Sequence, residues 1–203
     1  MKWPGEEKLW ESLLKMDPEE TAVNSAAAFD HDSSSYSLTC FGQNINISLK
    51  ERNISGGTVL GAYLIKELAE YSRLSILSYL INAKDARCSG ELVKPADLPC
   101  GNIFLKGTHA LPLKKISERF DNRYGSFLET GKALGGAQVE YGDAALQLFP
   151  FPRVPIVFIL WSGDEEFPPE ASLLFDSHCA SFLPIDIIWA TAMMSILLLL
   201  KEP

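Results

Sequence analysis

Apolar and polar positions along the chain alternate between two periods, and the points where the period changes divide it into elements. Residues 4–16 follow helical spacing, with Leu9, Trp10, Leu13 and Leu14 on one face, Glu6, Glu7, Glu11 and Lys15 elsewhere, and Pro4 suited to a first turn. A second helix is expected from Asp17-Pro18-Glu19-Glu20. Asp17 can accept from free backbone N–H groups, Pro18 loses no bond at the first position, and the glutamates suit the positive end of the helix dipole. Ala22 and Ala26, Ala27 and Ala28 allow close approach to a neighbour, and residues 30–35 (DHDSSS) read as a loop. From Tyr36 the period becomes two. Tyr36, Leu38 and Cys40 alternate with Ser37, Thr39 and Phe41, and after Gly42-Gln43 the residues Ile45, Ile47 and Leu49 alternate with Asn44, Asn46 and Ser48. This pattern predicts a β-hairpin with one buried face. Residues 53–57 break it, and residues 58–82 return to helical spacing as one long helix or two joined near Tyr71-Ser72.

Residues 83–109 are punctuated by Gly90, Pro95, Pro99, Gly101 and Gly107, and read as loops with short strand candidates at 92–93 and 102–105. Two short helices are expected over 111–120 and 124–134, the second ended by Gly135-Gly136, since glycine accepts the left-handed conformation common at helix ends. Strands follow at 144–149 and 154–161. The second of these, VPIVFILW, is nearly continuous in apolar residues, as a strand buried on both faces requires. It stops at Ser162-Gly163 and an acidic turn, beyond which an apolar run resumes, so the stretch 150–186 organises the chain. Residues 187–200 carry no charge, but a spanning helix needs about 20 apolar residues, so a buried core helix is expected and no membrane span. Together these elements predict a single α+β domain over residues 1–203, a mixed or antiparallel sheet packed by a long middle helix and a C-terminal helix.

Composition narrows the function classes. The 203 residues are 47% apolar and 22% charged, an ordinary globular balance. With 26 Asp and Glu against 18 Lys and Arg the net charge is -8, and no basic cluster relieves it, so nucleic acid and anionic membranes are not expected partners. Cys40, Cys88, Cys100 and Cys179 form no Cys-x-x-Cys pair and read as buried or free thiols. The first residues show no basic segment followed by an apolar one, which points to a cytoplasmic location and leaves Asn46 and Asn53 without meaning as glycosylation signals.

Candidate chemistry gathers after the buried strand. At period two, Asp164 and Glu166 share a side, and two close carboxylates can bind a hard cation or divide acid and base roles. Asp176 and His178, two residues apart, can add oxygen and nitrogen ligands, giving the metal set Asp164, Glu166, Asp176 and His178. The same carboxylates can instead fix a loop by accepting backbone N–H bonds. Arg153, Arg119 and Arg123 offer paired donors to a carboxylate or phosphate, or pair within the fold, Arg153 with the acidic turn. Trp161, Phe167, Phe175, Tyr79, Phe149 and Phe151 line a pocket for a large flat ligand or belong to the core. Gly56-Gly57-Thr58 opens a helix without a phosphate-loop lysine, and G-x-S-x-G is absent around Ser162.

Gly135-Gly136, Gly142-Asp143, Pro152-Arg153-Val154-Pro155, Trp161, Gly163-Asp164-Glu165-Glu166-Phe167-Pro168-Pro169, Leu174-Phe175-Asp176 and Leu183-Pro184 resemble the pattern of a prokaryotic family catalogued only as a domain of unknown function. The likeness covers about residues 20–200 and is most specific over 150–184. It implies occurrence mainly in anaerobes and a setting beside, or fusion to, iron–sulfur domains of the corrinoid methyl-transfer type. The cysteine-rich segment of such fusions is lacking here, and His178 and Cys179 lie outside the pattern.

Two functions of different class are therefore expected. One is a non-catalytic accessory protein of anaerobic one-carbon or corrinoid metabolism, contacting a small-molecule cofactor or a partner protein through Trp161, Asp164, Glu166, Phe167, Asp176 and Arg153. The other is a metal-dependent, hydrolytic enzyme using Asp164, Glu166, Asp176 and His178. The sequence leaves the cofactor, the partner and the oligomeric state open.

Overall fold

The computed structural model describes residues 5–201 apart from Lys106, so the first-turn role expected of Pro4 lies outside the described residues. The chain begins with helices α1 (Glu6–Leu13) and α2 (Pro18–Ser25). Asp17 caps α2 as expected, its carboxylate accepting the Glu20 N–H at 2.8 Å. A four-stranded antiparallel sheet follows in the order β1 (Ala28–Asp30), β2 (Ser35–Cys40), β3 (Gln43–Ser48), β4 (Asn53–Gly56). The predicted hairpin is β2–β3. Its register pairs Tyr36 with Ile47 and Leu38 with Ile45, all four fully buried, while Ser37, Thr39, Asn44 and Asn46 take the other face. β4 occupies the segment read as a break, because its single apolar residue, Ile54, pairs with Ile47 and needs no alternation of its own.

Helices α3 (Val59–Lys66) and α4 (Ala69–Asn82) meet around Leu68, a little before the predicted Tyr71-Ser72 junction. The Ser72 hydroxyl donates to the Leu64 carbonyl at 2.7 Å and so satisfies one of the free carbonyls at the end of α3. Residues 101–105 form a 3-10 segment where 102–105 was expected to be a strand. Phe104 is buried there with its ring 6.1 Å from that of Phe175, so an aromatic anchor and not a ladder fixes the segment.

The second sheet has the order β5-β9-β8-β7-β6, formed by β5 (Leu92–Val93), β6 (Ala137–Val139), β7 (Ala144–Phe151), β8 (Val154–Trp161) and β9 (Glu170–Asp176). Every pair is antiparallel, which settles the expected mixed or antiparallel sheet as antiparallel. β8 is central, as its apolar run demands. Ile156, Phe158 and Leu160 join the main core, and Val157 and Ile159 join a smaller cluster with Ala145 on the opposite face. Pro150 and Pro155 sit where the β7–β8 register slips between Leu148 and Phe151, a place where a missing N–H removes no regular ladder bond. α5 (Leu113–Phe120), α6 (Tyr124–Ala133), the short α7 (Cys179–Phe182) and α8 (Ile185–Leu199) complete the fold, with α8 packed on α4 in the core. No helix among the described residues is long and apolar enough to cross a membrane.

The two sheets meet at the β2–β3 turn, where the Phe41 N–H donates to the Phe149 carbonyl at 3.0 Å. Gly42 (φ +70°) and Gly135 (φ +72°) lie backbone against backbone there, and a Cβ on Gly135 would stand 2.8 Å from the Gly42 Cα. Both the left-handed conformation and the close approach require glycine. Gly135→Ala is expected to lower unfolding free energy by about 1–3 kcal/mol, read as a lower urea midpoint. An unchanged midpoint would show that the sheets can separate there without cost.

Candidate functional site

The residues singled out from sequence fall at the two ends of the central sheet. β8 starts beside Arg153 and ends on Trp161. β9 returns from Glu170, opposite Trp161, to Phe175, opposite Ile156. A strand of this length separates its ends by roughly 20 Å, so Asp164 and Glu166 stand at one end and Asp176 and His178 at the other. The four-residue metal set does not converge, and among the described residues no three His, Cys, Asp or Glu side chains are grouped to hold a metal ion.

At the Trp161 end, backbone and side-chain bonds fix the chain as it leaves β8. The Ser162 N–H donates to Asp143 Oδ2 at 2.8 Å, the Gly163 N–H donates to Asp121 Oδ1 at 3.1 Å, and the Tyr124 hydroxyl bonds to Ser162 Oγ. Asp164 then closes the turn on itself. Its Oδ1 accepts the N–H groups of Phe167 at 2.7 Å and Glu166 at 2.8 Å, while its own N–H donates to the Phe167 carbonyl at 2.9 Å. Those two donors, Phe167 first, hold the Asp164 carboxyl below the ordinary range. Asp164 and Glu166 therefore do not share a side of an extended strand; one carboxylate is spent fixing the backbone that carries the other. Glu165 and Glu166 are exposed beside an open depression of about 470 Å³. Trp161 is 39% and Phe167 66% exposed, unusual values for such side chains.

At the opposite end the expected site residues hold the fold. Asp176, 1% exposed, accepts from the N–H groups of His178 (2.9 Å), Ser89 (3.1 Å) and Gly90 (2.8 Å). Burial alone would raise its pKa, but these donors outweigh burial and hold it below the ordinary value. His178 contributes its backbone to this cradle, and the residue itself is exposed as the chain turns into α7. The expected Asp–His ligand pair is thus a capped turn.

Arg153 does not pair with the acidic turn. Its Nε donates to the Asn24 carbonyl at 2.9 Å, Nη1 to the Ala86 carbonyl at 2.9 Å, and Nη2 to the Val23 carbonyl at 3.1 Å and to Asp85 at 2.6 Å. It therefore ties the β7–β8 turn to the end of α2 and to the loop after α4. Tyr79, offered from sequence as a pocket residue, completes this junction. Its hydroxyl donates to the Ser25 carbonyl at 3.0 Å and accepts the Arg153 N–H at 3.3 Å, and its ring stacks on Phe151 with centroids 4.6 Å apart. Sequence reasoning had no means to join residues 79 and 153; the only signal was the proline-flanked arginine. Tyr79, Phe151 and Phe175 are core residues and line no flat-ligand pocket.

Arg119 and Thr58 are likewise committed within the fold, whereas Arg123 is exposed. Arg119 donates to the Leu200 and Lys201 carbonyls at the end of α8, and Thr58 caps α3 by accepting the Gly61 N–H at 2.9 Å. The four cysteines are free thiols. Burial pushes Cys179 up to about 12 and Cys40 higher still, so neither is a ready thiolate. Asp121 and Tyr124, which brace the Trp161 end, were missed from sequence, and Asp143 was marked only as part of the family pattern and without a role, because each bonds to residues 19 to 42 positions away.

A family model described as Domain of unknown function (DUF3786) matches residues 17–197. No curated protein and no solved structure matches the chain.

Asp176→Asn replaces one acceptor of the cradle by a donor and leaves a buried N–H unpaired, at an expected cost of about 1–3 kcal/mol at neutral pH. Because the folded-state pKa is depressed, the carboxylate's contribution is complete above its unfolded pKa of about 3.9 and is lost as pH falls through the lower folded value. Urea unfolding of both proteins between neutral pH and pH 3 should show the difference shrinking only below about pH 4. A difference that persists unchanged at low pH would contradict the charged cradle.

Proposed function

The chain belongs to the DUF3786 family, and on that premise we propose that it is a non-catalytic binding module that meets its partner through the Trp161 end of β8. The observation that carries this reading is two exposed aromatic residues at one end of the sheet, Trp161 as the last residue of β8 and Phe167 on the turn beyond it, whose backbone is tied down by Asp121, Asp143 and Asp164. A pinned aromatic loses little conformational freedom on binding, and aromatic side chains carry a large share of interface energy. The exposed residues Glu165 and Glu166 line the same depression as Phe167. The complementary surface is an apolar cleft with a basic rim.

A protein partner fits this surface better than a buried cofactor does, because the depression is open and a large flat cofactor requires an enclosed apolar cavity. Of the residues expected to contact a ligand, Trp161, Asp164, Glu166 and Phe167 belong to this surface; Asp176 and Arg153 support the fold at the other end. The setting in anaerobic one-carbon or corrinoid metabolism rests on the family resemblance of residues 150–184 and is part of the proposal.

A photo-crosslinking amino acid placed at position 167 of the full chain, in cells that naturally express it, is expected to trap a discrete partner. The same group at Val59, which is 89% exposed on α3, should not trap it, and Trp161→Ala should abolish the product. Identical products from both positions, or none from 167, would overturn the reading. Aquocobalamin titrated into the purified chain separates the two occupants: a spectral change abolished by Trp161→Ala would assign the surface to the cofactor instead of a protein.

A further inference from the structure

The five-stranded sheet has two edges that are treated very differently. β5 runs for two residues and is followed at once by Lys94-Pro95, a charge and a ring that blunt strand addition. β6, at the other edge, is bonded to β7 alone. Its residues Ala137, Gln138 and Val139 carry neither charge nor proline, and among the described residues no further strand pairs with them. Alongside it, α6 leaves a groove of about 350 Å³ lined by Leu128, Glu129, Lys132, Ala137, Gln138 and Leu146. Glu129 and Lys132 are exposed, and among the described residues neither forms an ion pair.

We propose that this edge takes a second copy of the chain, with β6 lying antiparallel to β6 of the partner about a two-fold axis perpendicular to the sheet. The charges on α6 select this occupant. A two-fold axis at the strand edge brings the two α6 helices side by side and antiparallel, so that Glu129 of each copy faces Lys132 of the other. A carboxylate and an ammonium three residues apart on one helix are self-complementary under that operation, as an isologous interface requires. Leu128 adds apolar contact beside the pair, and the exposed N–H and C=O groups of β6 gain partners. The result is a continuous ten-stranded sheet with the Trp161 surfaces of both copies left to their own partner.

Charge reversal tests the arrangement directly. Wild-type chain at about 100 µM should have twice its 22.4 kDa mass by light scattering. Glu129→Lys and Lys132→Glu should each be monomeric, since each places like charges across the axis, with unchanged circular dichroism because both side chains are exposed. Mixing the two variants in equal amounts should restore a dimer, because every lysine then faces a glutamate. A monomeric wild type at this concentration, a dimer indifferent to either reversal, or a mixture that stays monomeric would each overturn the proposal.

Discussion

The guanidinium of Arg153 joins three segments far apart in sequence, the β7–β8 turn, the end of α2 and the loop after α4. It sits in the turn between the two longest strands, yet its hydrogen bonds run to the carbonyls that end α2 and to the loop that leaves α4. Carbonyls at a helix end keep acceptor capacity to spare, and an arginine is suited to gather several because its donors are fixed in a plane. Tyr79 holds the same junction from the helix side, its ring stacked on Phe151 and its hydroxyl between Ser25 and the Arg153 backbone. Placing these groups fixes the end of α4 against the β7–β8 turn, and α4 in turn packs on α8 and α1.

One consequence is a division of labour along β8. The Arg153 end is locked by charged groups whose bonding capacity is spent inside the fold, with Asp176 cradled by three N–H groups a short distance away in the same layer. The Trp161 end is also rigid, but there the carboxylates of Asp121, Asp143 and Asp164 bind backbone and leave two aromatic rings facing outward. Rigidity on both ends with exposed aromatic rings on only one is the physical basis for placing recognition at the Trp161 end. Catalysis built on Asp176 and His178 would have to release the carboxylate from its donors first.

Much of this fold was legible in residue periodicity. The alternation in residues 36–49 gave the β2–β3 hairpin, and the unbroken apolar run of 154–161 gave a strand buried on both sides. β1, β4, β6 and β9 were not read, because three or four residues beside a turn, or a strand entered from Pro168-Pro169, carry too little pattern of their own and are defined by the neighbours they pair with. The candidate site was half legible for the same reason. Sequence marked the acidic turn and the aromatic residues, but whether a carboxylate faces solvent or a backbone N–H is decided by chain reversal at Gly163 and Phe167, and period-two spacing does not apply once the strand has ended. Arg153 was misplaced because its partners, residues 23, 24, 85 and 86, are far off in sequence.

The most direct measurement compares unfolding free energies for substitutions at the two ends of β8. Arg153→Ala should remove about 1–3 kcal/mol, since it deletes four hydrogen bonds that tie the β7–β8 turn to α2 and to the loop after α4, while the double change Trp161→Ala and Phe167→Ala should stay within about 0.5 kcal/mol of the parent. A surface pair as costly as Arg153→Ala would mean that the exposed rings serve the fold, and the division between a structural end and a recognition end would fail.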